Sequence, residues 1–215
     1  NPCLSILSQE SQSIVIAVNY QKAPEHPFPA PFNDCYASLK WVVQNAKALG
    51  VDSNNISVGG DSAGGNLAAA VALRCRDEAA VDLASQLLVY PCTNKEFNTS
   101  SYLQYSEGYG LTTKAMQWFW DQYLQNPADT DNPYACPARA ETLKGLPPTV
   151  LITAQYDPLS SDGENYRDRL IGDGVQVTFK EFEGVIHGFF RAPEITEASN
   201  EAIAFVAQEL KKFKR

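Results

Sequence analysis

Apolar residues in this chain fall into short unbroken runs, separated by stretches in which they recur every three or four positions. SIVIAVNY (Ser13–Tyr20), ISVGG (Ile56–Gly60), QLLVY (Gln86–Tyr90) and TVLITA (Thr149–Ala154) are runs of the first kind. Runs that are apolar on both alternating sets predict strands buried on both faces of a parallel sheet. Val175–Phe182 reads as a further strand near the end of the chain. A helix is predicted from Asn33 or Asp34, either of which can cap it, to Leu49. Its buried stripe is Tyr36, Leu39, Val42, Val43, Ala46 and Leu49, and Gly50 closes it. Helical spacing also marks Asn66–Ala80, Thr112 or Thr113 to about Leu124, Ser161–Ile171, and about Thr196 to Lys212. Gln21–Pro31 (QKAPEHPFPAP) holds prolines at 24, 27, 29 and 31, which block regular pairing and predict an extended loop.

Strands that alternate with helices predict an α/β fold with a mostly parallel sheet flanked by helices. The segment from about 93 to 146 breaks the rhythm. It is polar, lacks a strand signal and carries Tyr102, Tyr105, Tyr109, Trp118, Phe119, Trp120, Tyr123 and Tyr134. It reads as a cap-like insertion over part of the sheet's edge, within a single domain spanning residues 1–215.

Composition narrows the partners. At 215 residues the chain can bury a sizeable core. A net charge of −8 argues against nucleic acid or an anionic membrane surface as a partner. No apolar run is long enough to predict a membrane span. The five cysteines (Cys3, Cys35, Cys75, Cys92 and Cys136) are odd in number, form no C-x-x-C pair and make no zinc-like cluster with histidine. Free thiols in a reducing compartment, hence a cytoplasmic location, is the expected reading. The chain begins at Asn1 rather than Met, so a preceding segment carrying any targeting signal is expected.

The candidate chemistry lies in Gly60-Asp61-Ser62-Ala63-Gly64, between a predicted strand and a predicted helix. A serine on such a turn is a nucleophile elbow, and small neighbours are required because the backbone turns sharply there. The Ala63 amide, at a helix N-terminus, points where an oxyanion could sit. A serine hydroxyl needs a base. The chain has only His26, in the proline-rich loop, and His187, in GVIHGFF (Gly184–Phe190) after the last strand. Active groups gather at the carboxyl ends of parallel strands, which selects His187 and leaves His26 to shape the rim. The third member should be a carboxylate that holds the histidine tautomer. Asp157, directly after the Thr149–Ala154 strand, gives the order Ser, Asp, His. Asp162 falls inside a predicted helix and Glu183 at a strand end. Tyr90, Phe189 and the aromatics of the insertion are candidate pocket walls, with no single residue assigned to substrate.

VNYQKAPEHPFPAP (Val18–Pro31), GGDSAGGNLAAAVAL (Gly59–Leu73), LLVYP (Leu87–Pro91), AQYDPL (Ala154–Leu159) and GVIHGFF together resemble the bacterial hormone-sensitive-lipase-like esterases of the α/β-hydrolase superfamily. The resemblance implies the α/β-hydrolase fold. It implies hydrolysis of short-chain carboxylic esters by Ser62, Asp157 and His187, with no metal or cofactor. It also exposes a departure. Family members carry an HGGG stretch upstream whose amides supply most of the oxyanion hole, and none exists here. Asn1–Ser11 looks like the tail of the helix that follows that stretch, so the first strands and the roofing cap helices are expected to be missing. The family's strand order would then leave a slot beside Ile56–Gly60, or two strands closed together.

Two readings follow. One is a serine esterase on a small ester substrate. The alternative is a truncated or inactive binding protein of the same fold, without an oxyanion hole. Acyl transfer to an acceptor other than water would use the same triad. The last strand would lie at the sheet's edge, where pairing into a homodimer is expected.

Overall fold

The computed structural model describes residues 2–214 of the chain. Four parallel strands form its sheet in sequence order: β1 (Ser57–Asp61), β2 (Ser85–Val89), β3 (Thr149–Tyr156) and β4 (Val177–Ile186). The unbroken apolar runs of β2 and β3 are explained by the two faces of this sheet. β1, expected to be buried, is instead exposed or half-buried along its length, because no described strand covers its outer edge. Leu88 of β2 and Leu151 of β3 enter one core, while Leu87, Val89, Val150 and Ile152 enter the other. The first core is completed by helices α2 (Ala30–Gln44), α4 (Ala63–Asp77) and α7 (Ser160–Gly172), through residues such as Phe32, Leu73 and Leu170. The second is completed by α1 (Pro2–Ser11) and α8 (Glu197–Lys212), through Leu7, Ile203 and Val206. Alanines 69, 70 and 72 of α4 are fully buried, and their small side chains let this helix lie close on β1 and β2.

The expected strand at Ser13–Tyr20 is a correction. The segment belongs to no helix or strand, and Ile14, Ile16 and Val18 are 61%, 42% and 37% exposed. A strand exists only through hydrogen bonds to a neighbour. β1 pairs with β2, and no described strand pairs with the other edge of β1. The helix expected from Asn33 or Asp34 begins earlier, at Ala30, because Pro31 fits the first turn of a helix. Asp34 instead accepts hydrogen bonds from Gln21 N–H (2.8 Å) and its side-chain amide (3.4 Å). At Asn45 the helix breaks, and α3 (Ala46–Leu49) ends on Gly50 at φ 68°. The helix expected over residues 1–11 appears as α1, with Asn1 outside the described residues. The remaining strands and long helices appear within a few residues of their expected bounds, except that β4 continues to Ile186.

Within residues 93–146 lie α5 (Ser100–Gln104), α6 (Thr113–Tyr123) and two 3-10 turns. Thr112 caps α6 by accepting from Ala115 N–H. The buried face of this segment (Tyr102, Met116, Trp120, Leu124) packs with Cys92 and Leu159, which stand just beyond the carboxyl ends of β2 and β3. The segment thereby overlies the end of the sheet where the candidate residues gather.

Candidate active site

Ser62 sits between β1 and α4 with φ 57° and ψ −118°. Such a backbone costs on the order of 1–3 kcal/mol and persists only where surroundings enforce it. Here Ser62 N–H donates to Val89 O (2.9 Å), and its carbonyl accepts from Asn66 N–H (3.1 Å). The flanking glycines are steric necessities. A Cβ on Gly60 would stand 2.2 Å from the Gly64 carbonyl oxygen, and one on Gly65 would stand 2.9 Å from Pro91 Cβ. Ala63 opens α4, so its N–H is one of the first helical amides that lack an intrahelical acceptor.

Two strands deliver the other candidates. β3 ends at Tyr156, and fully buried Asp157 follows it. Asp157 Oδ1 accepts from Leu159 N–H (2.9 Å), and its carbonyl accepts from Ser160 N–H (3.0 Å), which fixes the carboxylate at the entry to α7. β4 shifts register against β3 between Ala154 and Tyr156. Gly184, at φ 74°, donates to the Gln155 side chain (2.8 Å). His187 emerges from this irregular end. Its Nδ1 lies 2.6 Å from Asp157 Oδ2 and its Nε2 lies 2.9 Å from Ser62 Oγ. Nδ1 must carry a proton to bond a carboxylate, which leaves Nε2 free to accept one from the serine. The imidazole rests on the Tyr90 ring, which in turn packs edge-on against Phe189.

The competing residues stand elsewhere. His26 is exposed in its loop, with its N–H bonded to Lys22 O (2.9 Å). Glu183 is exposed on β4. Asp162 is buried in the first turn of α7, and its Oδ2 accepts from Thr93 N–H (3.1 Å) and Asn94 N–H (3.4 Å). Burial pushes its carboxyl well above the usual range, against the pull of those two N–H groups. All five cysteines are free thiols, and burial pushes Cys3, Cys35, Cys75 and Cys136 up to about 11. No group of three or more histidine, cysteine or acidic side chains among the described residues is arranged to hold a metal.

A cavity of about 340 Å³ opens beside Ser62, with Ala63, Leu67, Cys92, Met116 and Trp120 among its walls. Phe119 and Tyr123 of the predicted aromatic segment also line it, whereas Tyr90 and Phe189 are core residues beneath the site. Tyr20 and Lys22 line the cavity too; both stand in the Val18–Pro31 stretch that carries the resemblance, but no site role was assigned to them. Asn66, in the Gly59–Leu73 stretch, was likewise assigned no role. Its side-chain amide donates to Cys92 O (2.8 Å) and Ala135 O (2.9 Å), tying two loops to α4 behind the serine. A buried polar residue in an alanine-rich helix was the available signal.

A serine lifted on a strand-to-helix elbow from a parallel sheet defines the architecture of an α/β hydrolase. Residues 1–191 match the family model described as "alpha/beta hydrolase fold", and the chain belongs to that family. Its relatives include Esterase LipI of Mycobacterium tuberculosis, 37% identical over 199 residues, or 90% of this chain and 62% of the relative. Ethyl acetate hydrolase of Pseudomonas putida is 34% identical over 207 residues, or 95% of this chain and 64% of the relative. The chain thus spans somewhat under two thirds of these relatives' length. Among solved structures, a thermostable esterase from Pseudomonas putida ECU1011 is similar at a TM-score of 0.96 and 36% identity, covering 100% of this chain and 68% of that one. The thermostable carboxylesterase EstE1, cloned from a metagenomic library, matches at a TM-score of 0.96 and 38% identity, covering 99% and 73%. The resemblance to hormone-sensitive-lipase-like esterases accords with these relatives. No described helix is long and apolar enough to cross a membrane.

Proposed function

We propose that this chain carries the nucleophile, base and acid of a serine carboxylic ester hydrolase acting on small, short-acyl esters. The observation that carries the reading is the unbroken hydrogen-bond relay from Ser62 Oγ through His187 to buried Asp157. His187 Nε2 takes the hydroxyl proton as Oγ attacks the ester carbonyl carbon, and the carbonyl oxygen becomes an oxyanion. Ala63 N–H donates to that oxyanion, a contribution on the order of 10²–10³ in turnover per donor. Collapse breaks the bond to the alcohol oxygen, which leaves with the proton from Nε2. Water then repeats the sequence on the acyl-serine, with the acid as product and Oγ reprotonated. Asp157 holds the Nδ1 proton and stabilises the imidazolium throughout.

Residues 93–146 act in this reading as a cap within one domain, walling the acyl side with Met116, Phe119 and Trp120. The free edge of β4 offers pairing to a second copy. Hydrolysis of p-nitrophenyl acetate tests the chemistry. Ser62→Ala and His187→Ala are expected to lose up to roughly 10⁶ in kcat with little change in unfolding temperature. Equal turnover in Ser62→Ala would overturn the reading.

A further inference from the structure

The cavity beside Ser62 is walled on the Ala63 side of the serine, and neither His187 nor Ile186 is among its lining residues. If the ester is cleaved as above, on which this inference rests, the departing alcohol oxygen must receive its proton from His187 Nε2. The alcohol half of the substrate therefore lies toward His187 Nε2. Particular residues stand there. Tyr156 immediately precedes Asp157, and its Cα pairs across the sheet with Ile186, which immediately precedes His187. The Tyr109 ring stacks on Tyr156, with centroids 5.4 Å apart and planes 16° apart. Tyr105 meets Tyr109 edge-on at 5.2 Å and Tyr156 edge-on at 5.8 Å. The next residue, Gly110, comes so close to Ile186 that a Cβ there would lie 3.4 Å from Ile186 Cδ1. The three tyrosines are only partly buried and Ile186, the residue before the base, is 43% exposed, so aromatic surface of this cluster is open to a ligand.

We propose that Tyr105, Tyr109, Tyr156 and Ile186 form the alcohol-side subsite and select a planar aromatic leaving group, an arylmethyl or aryl alcohol. The strand ends that place the acid and the base also place this wall, so its distance from the reacting bond is fixed by the fold. Rings gain from offset stacking and edge-on contact with tyrosine, and a saturated ring of the same size does not.

Benzyl acetate and cyclohexylmethyl acetate share the acyl group and a primary alcohol, and differ in ring planarity. Their kcat/KM ratio is expected to favour benzyl by about two- to tenfold. In Tyr109→Leu and Tyr156→Leu the ratio should fall toward one, and in Tyr109→Phe it should persist. A ratio near one in the unsubstituted chain, or one that both leucine variants leave unmoved, overturns the subsite even while a fluorophosphonate still labels Ser62. If neither ester is turned over and Ser62 is not labelled, the hydrolase reading fails, and the subsite is then judged by binding alone. Saturation-transfer NMR should show benzyl alcohol bound in preference to cyclohexylmethanol, with the preference lost in both leucine variants. Equal transfer to the two alcohols overturns it.

Discussion

The Tyr90 ring lies against the imidazole of His187, with centroids 4.5 Å apart and planes 54° apart. Tyr90 follows β2 at φ 35°, and its buried hydroxyl has no hydrogen-bond partner among the described residues. Its ring packs against His187, which Asp157 orients through Nδ1. Tyr90→Phe is expected to keep turnover and to gain about 1 kcal/mol, since an unpaired buried polar group is costly. Tyr90→Ala is expected to lose about 3–5 kcal/mol and most activity, because the cavity lies directly under the base. Denaturant unfolding and ester turnover on both variants check the pair.

Gly60 faces the Gly64 carbonyl so closely that no side chain fits. Gly60→Ala is expected to abolish soluble, active protein. Gly172, at the end of α7, has nothing within 4 Å of a built Cβ. Gly172→Ala is expected to gain about 0.4–1 kcal/mol by restricting the unfolded chain. Thermal unfolding compares the two, and similar losses in both would contradict the steric account.

Asp162 is buried, with its carboxyl pushed well above the usual range by that burial. The folded chain then keeps a proton that the unfolded chain has already released. The stability this group contributes is complete below the unfolded value and declines as pH rises through the folded one. Asp162→Asn removes the titration. Its unfolding temperature, relative to the parent chain, should rise between about pH 4 and pH 7. A difference that stays flat across that range would contradict it.

Burial pushes four of the thiols up to about 11, and Cys92 further still. Native protein should react slowly with a disulfide reagent at about pH 8, where thiolate is scarce. All five cysteines should react at once in denaturant. A rapidly titrating native thiol would contradict the burial.

The sequence made the site legible because its parts are local. Gly60, Ser62 and Gly65 mark an elbow on their own, Asp157 follows a recognisable strand, and two histidines leave little choice of base. Unbroken apolar runs made β2 and β3 legible, since both faces of each are buried. Ser13–Tyr20 misled because apolar composition reports a preference for burial, whereas a strand also needs a partner edge. The tyrosine wall was illegible for the opposite reason. Tyr105 and Tyr109 meet Tyr156 only through the fold, across some fifty residues of chain with no local signature. Asp162 was read as merely helical, because its bonds to Thr93 and Asn94 are equally remote in sequence.

The central claim is that Ser62 is activated by His187. Intact mass before and after treatment with a fluorophosphonate, followed by location of the labelled peptide, tests it most directly. One adduct on Ser62, absent in Ser62→Ala and slowed by roughly 10³-fold or more in His187→Ala, is the predicted result. No adduct, or an adduct on another residue, would contradict it.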